Sequence, residues 1–169
     1  GWDALLDRWP ADARLMNSAR LLRWNGRKTY LSELAAAGVP IVPTHFVPLA
    51  DETALAGAFA DFGGSEIVVK PQVSAGSHDT FRLHRGDPPP RTRDAMIQPF
   101  LSAVAGEGEL AVFLIGGQLS HGGVKRAAAG DFRVQPQFGG RIDAWQPDAE
   151  ALAVARAAVA ALPEAPFYV

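Results

Sequence analysis

A lysine at the end of a β-branched run is costly to bury, and Ile67-Val68-Val69-Lys70 ends on one. Side chains branched at Cβ suit the pleated, packed surface of a strand. An ammonium in that place needs a partner charge or a route to water. Pro71 stops the ladder, and Gln72-Val73-Ser74-Ala75-Gly76-Ser77-His78-Asp79 follows. Small side chains there leave backbone N–H groups uncovered, which with Lys70 makes an anion cradle. The same residues also fit a strand end whose lysine reaches solvent before an ordinary turn. The lysines as a set favour the cradle. Only Lys28, Lys70 and Lys125 occur among 16 basic residues, the remainder being arginine. In such a chain a lysine marks a place that wants a compact point charge instead of a planar fork. Lys28 falls in the first turn of an expected helix, where the macrodipole disfavours a cation. Service to a ligand and a solvated surface position both remain open for it.

Other side chains offer less. His45, His78, His84 and His121 share no metal-ligand spacing. Ser74, Ser77 and Ser120 lack the strand–turn–helix context of a nucleophile elbow. Arg82, Arg85, Arg91 and Arg93 surround a proline loop without interleaved aromatics, which reads as a solvated face and not a nucleic-acid site. The absence of cysteine excludes disulfides, thiolate catalysis and cysteine-ligated metal, and fits a cytoplasmic setting. A net charge of −2 supplies no global field for nucleic acid or an anionic membrane. With 48% hydrophobic and 20% charged residues, the composition is that of a globular chain. No apolar run approaches membrane-spanning length.

The elements that must position Lys70 follow from local pattern. Residues 1–25 carry Trp2, Trp9 and Trp24 among charges, and irregular structure without a core of its own is expected. A helix over 26–37 stops at Gly38, and 39–44, bracketed by prolines, reads as an edge or entry strand. Asp51 caps a helix to Phe62, ended by Gly63-Gly64. The strand ending at Lys70 is answered by a returning strand over 79–83, and 86–94 is an exposed loop. Residues 95–101 start as a strand that Pro99 breaks. Strands over 112–115 and 118–124 flank Gly116-Gly117 as a two-residue hairpin. Residues 132–135 read as another extended piece, 148–162 as a helix closed by Pro163, and a last strand starts at Phe167.

This order resembles the ATP-grasp superfamily, the fold of glutathione synthetase and D-alanine:D-alanine ligase, from about Asn17 to Val169. Asn25-Gly26-Arg27-Lys28 resembles the family's first nucleotide lysine, and Val68-Val69-Lys70-Pro71 the second. Residues 73–79 stand where the mobile phosphate loop stands, so Ser74, Ala75, Gly76 and Ser77 are implied ATP contacts. Ile97-Gln98-Pro99-Phe100-Leu101 resembles the hinge that reads the adenine edge, and Gly108-Glu109 the acid that holds the ribose. Lys125-Arg126, then Gly130-Asp131-Phe132-Arg133-Val134-Gln135, then Gly139-Gly140, resembles the run that holds substrate. The resemblance makes Arg126 and Arg133 catalytic, and Lys125, Gln135, Gly139 and Gly140 substrate-binding.

The implied fold is α+β, two small α/β lobes clasping a nucleotide. Residues 1–25 would be a linker, 26–100 the first lobe and 101–169 the second. The chain starts at Gly1 without methionine and ends on what reads as a strand, so a fragment is expected. The family's N-terminal domain would precede it, and the magnesium carboxylates would lie beyond Val169. No residue of this stretch is therefore expected to bind metal, and the stretch alone is expected to be inactive. ATP and magnesium are the implied cofactors.

Leu22-Arg23-Trp24-Asn25, Val73-Ser74-Ala75-Gly76, Leu119-Ser120-His121 and Gly130-Asp131-Phe132-Arg133 narrow the likeness. They resemble a subgroup that contains the O-ureido-D-serine cyclo-ligase of D-cycloserine formation. That implies an ATP-dependent carboxylate–amine ligase of antibiotic-type biosynthesis, closing a ring on a small amino-acid-like carboxylate. Ala111 stands where glutathione-type relatives have an arginine, which speaks against a glutathione-type substrate. Nucleic acid and membrane are not expected partners, and a homo-oligomer is compatible. The alternative is a nucleotide-binding or scaffold module that keeps the fold without the chemistry.

Overall fold

The computed structural model describes all 169 residues. In chain order the elements are α1 (Trp2–Asp7), α2 (Ala19–Asn25), α3 (Tyr30–Ala36), β1 (His45–Leu49), α4 (Glu52–Phe62), β2 (Glu66–Pro71) and β3 (Phe81–His84). They continue with β4 (Arg93–Pro99), α5 (Ser102–Gly106), β5 (Glu109–Ile115), β6 (Gln118–Arg126), a 3-10 turn over Pro136–Phe138, β7 (Arg141–Trp145) and α6 (Ala149–Ala160). The chain forms two compact units. One comprises Gly1–Ile41, Leu110–Val124 and Ile142–Val169; the other comprises Val42–Glu109 and Lys125–Arg141.

The second unit is built on an antiparallel sheet of order β1-β4-β2-β3. Asp51 caps α4, its carboxylate accepting the Ala54 amide at 2.9 Å, and the helix stops at Gly63. Leu55, Ala58 and Phe59 of α4 form one buried cluster with Ile67, Val69, Leu83, Ala95 and Ile97 of the sheet. Successive strand side chains point to opposite faces. Ile67 and Val69 therefore serve the core, while Val68 and Lys70 lie on the other face. The register sets Lys70 opposite Met96 and Val68 opposite Gln98. Both partners are buried, so the lysine stem shares its face with packed side chains.

In the first unit, Gly116 and Gly117 turn β5 into β6 with φ of 56° and 77°. That left-handed pair is what a two-residue hairpin turn requires. Tyr168 bridges to Ile115, and Val169 exchanges two hydrogen bonds with Leu114, at 2.8 and 3.0 Å. Asn17 secures this end, its side chain donating to the Tyr168 carbonyl at 2.8 Å and accepting the Phe167 amide at 2.8 Å. A groove of about 880 Å³ lies in this unit between α2, β5 and α6, with Leu21, Leu114 and Val154 in its walls. No residue expected to bind ATP or substrate lines it.

Several expectations are corrected. Residues 1–25 are irregular only over 8–18, between two short helices: Ser18 caps α2 by accepting the Leu21 amide at 3.1 Å, and Leu6 and Leu21 are buried. The Trp2 indole donates to the Leu22 carbonyl at 3.3 Å, fastening α1 to α2. Residues 39–44 form no strand, and pairing with β4 starts at His45. The returning strand begins at Phe81, because 77–80 are spent in a turn. Residues 132–135 join no ladder, while β7 and α5 were not foreseen.

Candidate functional site

The strand end at Lys70 is finished by Gln72. Its amide donates to the Asp94 carbonyl at 2.8 Å, and its buried side chain donates to the Ala95 carbonyl at 3.0 Å. That double tie lets the sheet close past Pro71, which has no N–H to give. The chain then turns through left-handed Gly76, Ser77 and Asp79, with φ of 62°, 58° and 51°. Two of those three carry a Cβ, which the left-handed region disfavours. His78 donates its amide to the Ala75 carbonyl at 3.2 Å, and Thr80 to the Ser77 carbonyl at 3.3 Å. Ser74 lies over the strand end, with its hydroxyl 3.5 Å from the Pro71 carbonyl.

A second loop, 131–140, folds on itself in the same unit. Asp131 receives the Arg133 guanidinium in two parallel bonds, at 3.0 Å from Nε and 2.7 Å from Nη2. It also accepts the Arg133 amide at 2.9 Å. These bonds from Arg133 hold the Asp131 carboxyl at about 2, well below its ordinary value. They also push the guanidinium higher still, so Arg133 is a fixed cation. Its Cζ lies over the Phe138 ring, 3.7 Å from the centroid. With the Nε–Nη2 edge given to Asp131, an incoming oxyanion would meet the Nη1–Nη2 edge.

Gly139 and Gly140 serve this loop's own geometry. The Gly139 amide donates to Pro136 at 2.9 Å and the Gly140 amide to Gln135 at 3.2 Å. A Cβ on Gly140 would stand 2.2 Å from the Val134 carbonyl oxygen. Only glycine allows that approach.

The two loops meet. Ser77 donates its hydroxyl to Gln135 Oε1 at 2.7 Å, and Gln137 Nε2 donates to the Gly76 carbonyl at 3.1 Å. Ser77 and Gln135 are among the expected residues; Gln137 is not.

The expected hinge is partly structural. The Gln98 side chain is buried and donates to Thr44 Oγ1 at 2.8 Å. Pro99 ends β4, and the Phe100 amide donates to the Glu66 carbonyl at 3.2 Å. The Phe100 ring takes the Arg82 guanidinium at 3.8 Å on its face and the edge of Phe132 at 6.3 Å. Arg82 is tied in turn to Glu66 at 2.7 Å. Leu101 is 41% exposed and stands at the N-cap of α5. Glu109 and Lys125 face one another at 2.9 Å, and half-buried Arg126 closes β6 beside them. Lys28 belongs to the first unit, just before α3, where burial pushes its ammonium below the usual value.

Sequence reasoning missed Arg82, Phe132, Phe138 and Gln137. Asp131 could have been paired with Arg133 from their two-residue spacing. Gln137 and Gly76 lie 61 residues apart, and no local signal joins them. No group of three or more His, Asp or Glu side chains is gathered to hold a metal.

No family model matches the chain. It is 34% identical over 121 residues to the cycloserine biosynthesis protein DcsG of Streptomyces lavendulae, an alignment covering 64% of this chain and 40% of that protein. The crystal structure of D-cycloserine synthetase DcsG superposes with a TM-score of 0.77 at 28% identity, over 95% of this chain and 59% of the other. The ATP-grasp ligase PsnB, solved with a phosphomimetic precursor variant, Mg and ADP, gives 0.65 at 23% identity, over 98% and 51%. The chain thus spans about half the length of the relatives it matches. A lysine-ended strand, a small-residue loop and an arginine loop follow one another in the order expected of the ATP-grasp fold, and in fold the chain is similar to these proteins.

Proposed function

We propose that the protein is an ATP-dependent carboxylate–amine ligase acting through an acyl phosphate. The observation that carries this reading is the meeting of the loop after Lys70 with the loop that presents Arg133. A phosphate cradle and a carboxylate fork are what such a ligase must bring to one place.

Lys70 would supply a point charge to the α and β phosphates, and the amides of 74–77 would clamp the transferring end. Phe100, with the backbone of 98–101, would receive the adenine, and Glu109 the ribose. Lys28 is taken as the other phosphate lysine on the resemblance alone. Arg126 and Arg133 would bind the substrate carboxylate, with Lys125, Gln135 and the Gly139–Gly140 turn shaping its loop. A carboxylate oxygen would attack the γ-phosphorus as ADP leaves. The amine nitrogen would then attack the acyl carbon, releasing phosphate and losing a proton to solvent. Arg133, already neutralised by Asp131, would act as an aimed donor more than as a free charge. No residue of this chain is assigned to magnesium.

The finer reading is a cyclo-ligase on a small amino-acid-like carboxylate, with the amine on the same molecule. An internal amine needs no second binding event, which favours the step through proximity. The likeness to D-cycloserine synthetase supports it. To test it, full-length protein is incubated with ATP, magnesium and free amino acids, ureido-amino acids or dipeptides, and ADP and product mass are measured. A product equal to substrate minus water supports ring closure. A product joining two substrates moves the reading to intermolecular ligation, and absence of ADP with every carboxylate favours a non-catalytic module. Lys70→Ala should weaken ATP binding by about 1.5–3 kcal/mol, a rise in Kd of roughly ten- to a hundredfold. Calorimetry giving an unchanged Kd would remove Lys70 from the site.

A further inference from the structure

We propose that Gln137, together with Gln135, is a latch that ties the loop over 74–79 to the arginine loop, so that the state of the Arg133 loop sets closure of the phosphate loop. The latch is a matter of geometry; its meaning for substrate rests on the ligase reading above.

Two glutamines separated by one proline reach the same target. Gln135 Oε1 accepts the Ser77 hydroxyl at 2.7 Å, and Gln137 Nε2 donates to the Gly76 carbonyl at 3.1 Å. The bonds run in opposite senses and land on adjacent residues. Those residues are the two consecutive left-handed ones, Gly76 and Ser77. Ser77 would leave that region if nothing held it, since its Cβ is disfavoured there. The loop's internal bonds, at 3.2 and 3.3 Å, lie at 75–78 and 77–80, so neither fixes the Gly76 carbonyl. The latch supplies what the loop lacks.

The other side of the latch is rigid. Pro136 fixes φ between the glutamines and opens the 3-10 turn. The Phe138 and Gly140 amides both return to the Gln135 carbonyl, at 2.9 and 3.2 Å. Phe138, the next residue after Gln137, carries the Arg133 guanidinium at 3.7 Å, and Asp131 fixes the far edge of that group. Val134 is buried beneath. A ligand that draws Arg133 off Phe138 or Asp131 must therefore disturb the turn that aims both glutamines. Gln137 needs no contact with ligand for this, so its role is positioning.

The test is amide hydrogen exchange across 74–79 in full-length protein, with and without ATP as the probe. Gln137→Ala should raise exchange in this stretch by roughly tenfold, a loss of about 1.4 kcal/mol of local order, while β2 is unchanged. Gln137→Glu keeps the size but cannot donate to the Gly76 carbonyl, and should behave like the alanine variant. Ser77→Ala should loosen the same amides from the other side. Arg133→Ala touches neither Gly76 nor Ser77, and should still loosen them. A readout from Arg133→Ala confined to 131–140 would overturn the coupling. Exchange at wild-type level in both Gln137 variants would overturn the latch. Loosened variants in a protein that binds no ATP would leave the latch standing and remove the ligase reading instead. The thermal midpoint of each variant confirms that the unit is folded.

Discussion

Gly140→Ala tests whether the arginine loop is held by a close backbone approach. The added Cβ would sit 2.2 Å from the Val134 oxygen, 2.5 Å from its carbonyl carbon and 3.0 Å from the Gln135 oxygen. Ordinary carbon–oxygen contacts lie at about 3.3–3.6 Å, so the overlap exceeds roughly 1 Å. Every atom met is backbone, and none can rotate aside. The turn must open, which breaks the bond from Gly140 to Gln135 and strains those from Gly139 and Phe138. At about 1 kcal/mol per net hydrogen bond, the cost is roughly 2–3 kcal/mol. Release of the loop caps it, because burial of Val134 is then lost, which is worth about 1.5–3 kcal/mol. Gly139→Ala is the control. Its φ of 79° costs an alanine roughly 1–2 kcal/mol, and the new Cβ would meet only the Ala128 side chain, at 3.3 Å. Urea unfolding of wild type and both variants should rank Gly140→Ala as the more damaging. ATP turnover in Gly140→Ala should fall with it, since Arg133 loses its seat. A Gly140→Ala protein within about 0.5 kcal/mol of wild type, or less affected than Gly139→Ala, would refute the close approach.

Arg133→Lys keeps the charge but cannot span Asp131 in two bonds while placing a guanidinium over Phe138, so turnover should drop by about tenfold or more, read as kcat/KM. The Asp131 carboxyl is held down at about 2, below the value of 3.8 it has when unpaired. Its contribution to loop order is therefore complete above about pH 4 and lost as pH falls through about 2; a carboxyl carbon titration by NMR with a midpoint near 4 would contradict the pairing. Ile97→Ala removes a side chain with no exposed surface from the cluster under α4, and should lower stability by about 2–5 kcal/mol in urea unfolding.

What the sequence determined by itself is local. The run Ile67-Val68-Val69 specifies a strand through side-chain shape, Asp51 specifies a helix start through a cap three residues long, and Gly116-Gly117 specifies a hairpin through backbone freedom. Each signal is complete within a few residues, so it can be read without the fold. The N-terminal helices were missed because what stabilises them is partly remote: Leu21 and the Trp2–Leu22 contact count only once α1 lies on α2. β7 was missed because strand pairing with β6 defines it more than its own five residues do. The candidate site divides the same way. Lys70, Arg133 and the small-residue loop were legible as types in an order. That Asp131 and Phe138 take up Arg133, that Arg82 covers Phe100, and that Gln137 reaches Gly76 across 61 residues were decided by the tertiary structure alone. Such contacts depend on the path of the chain between them, and no spacing rule encodes that path.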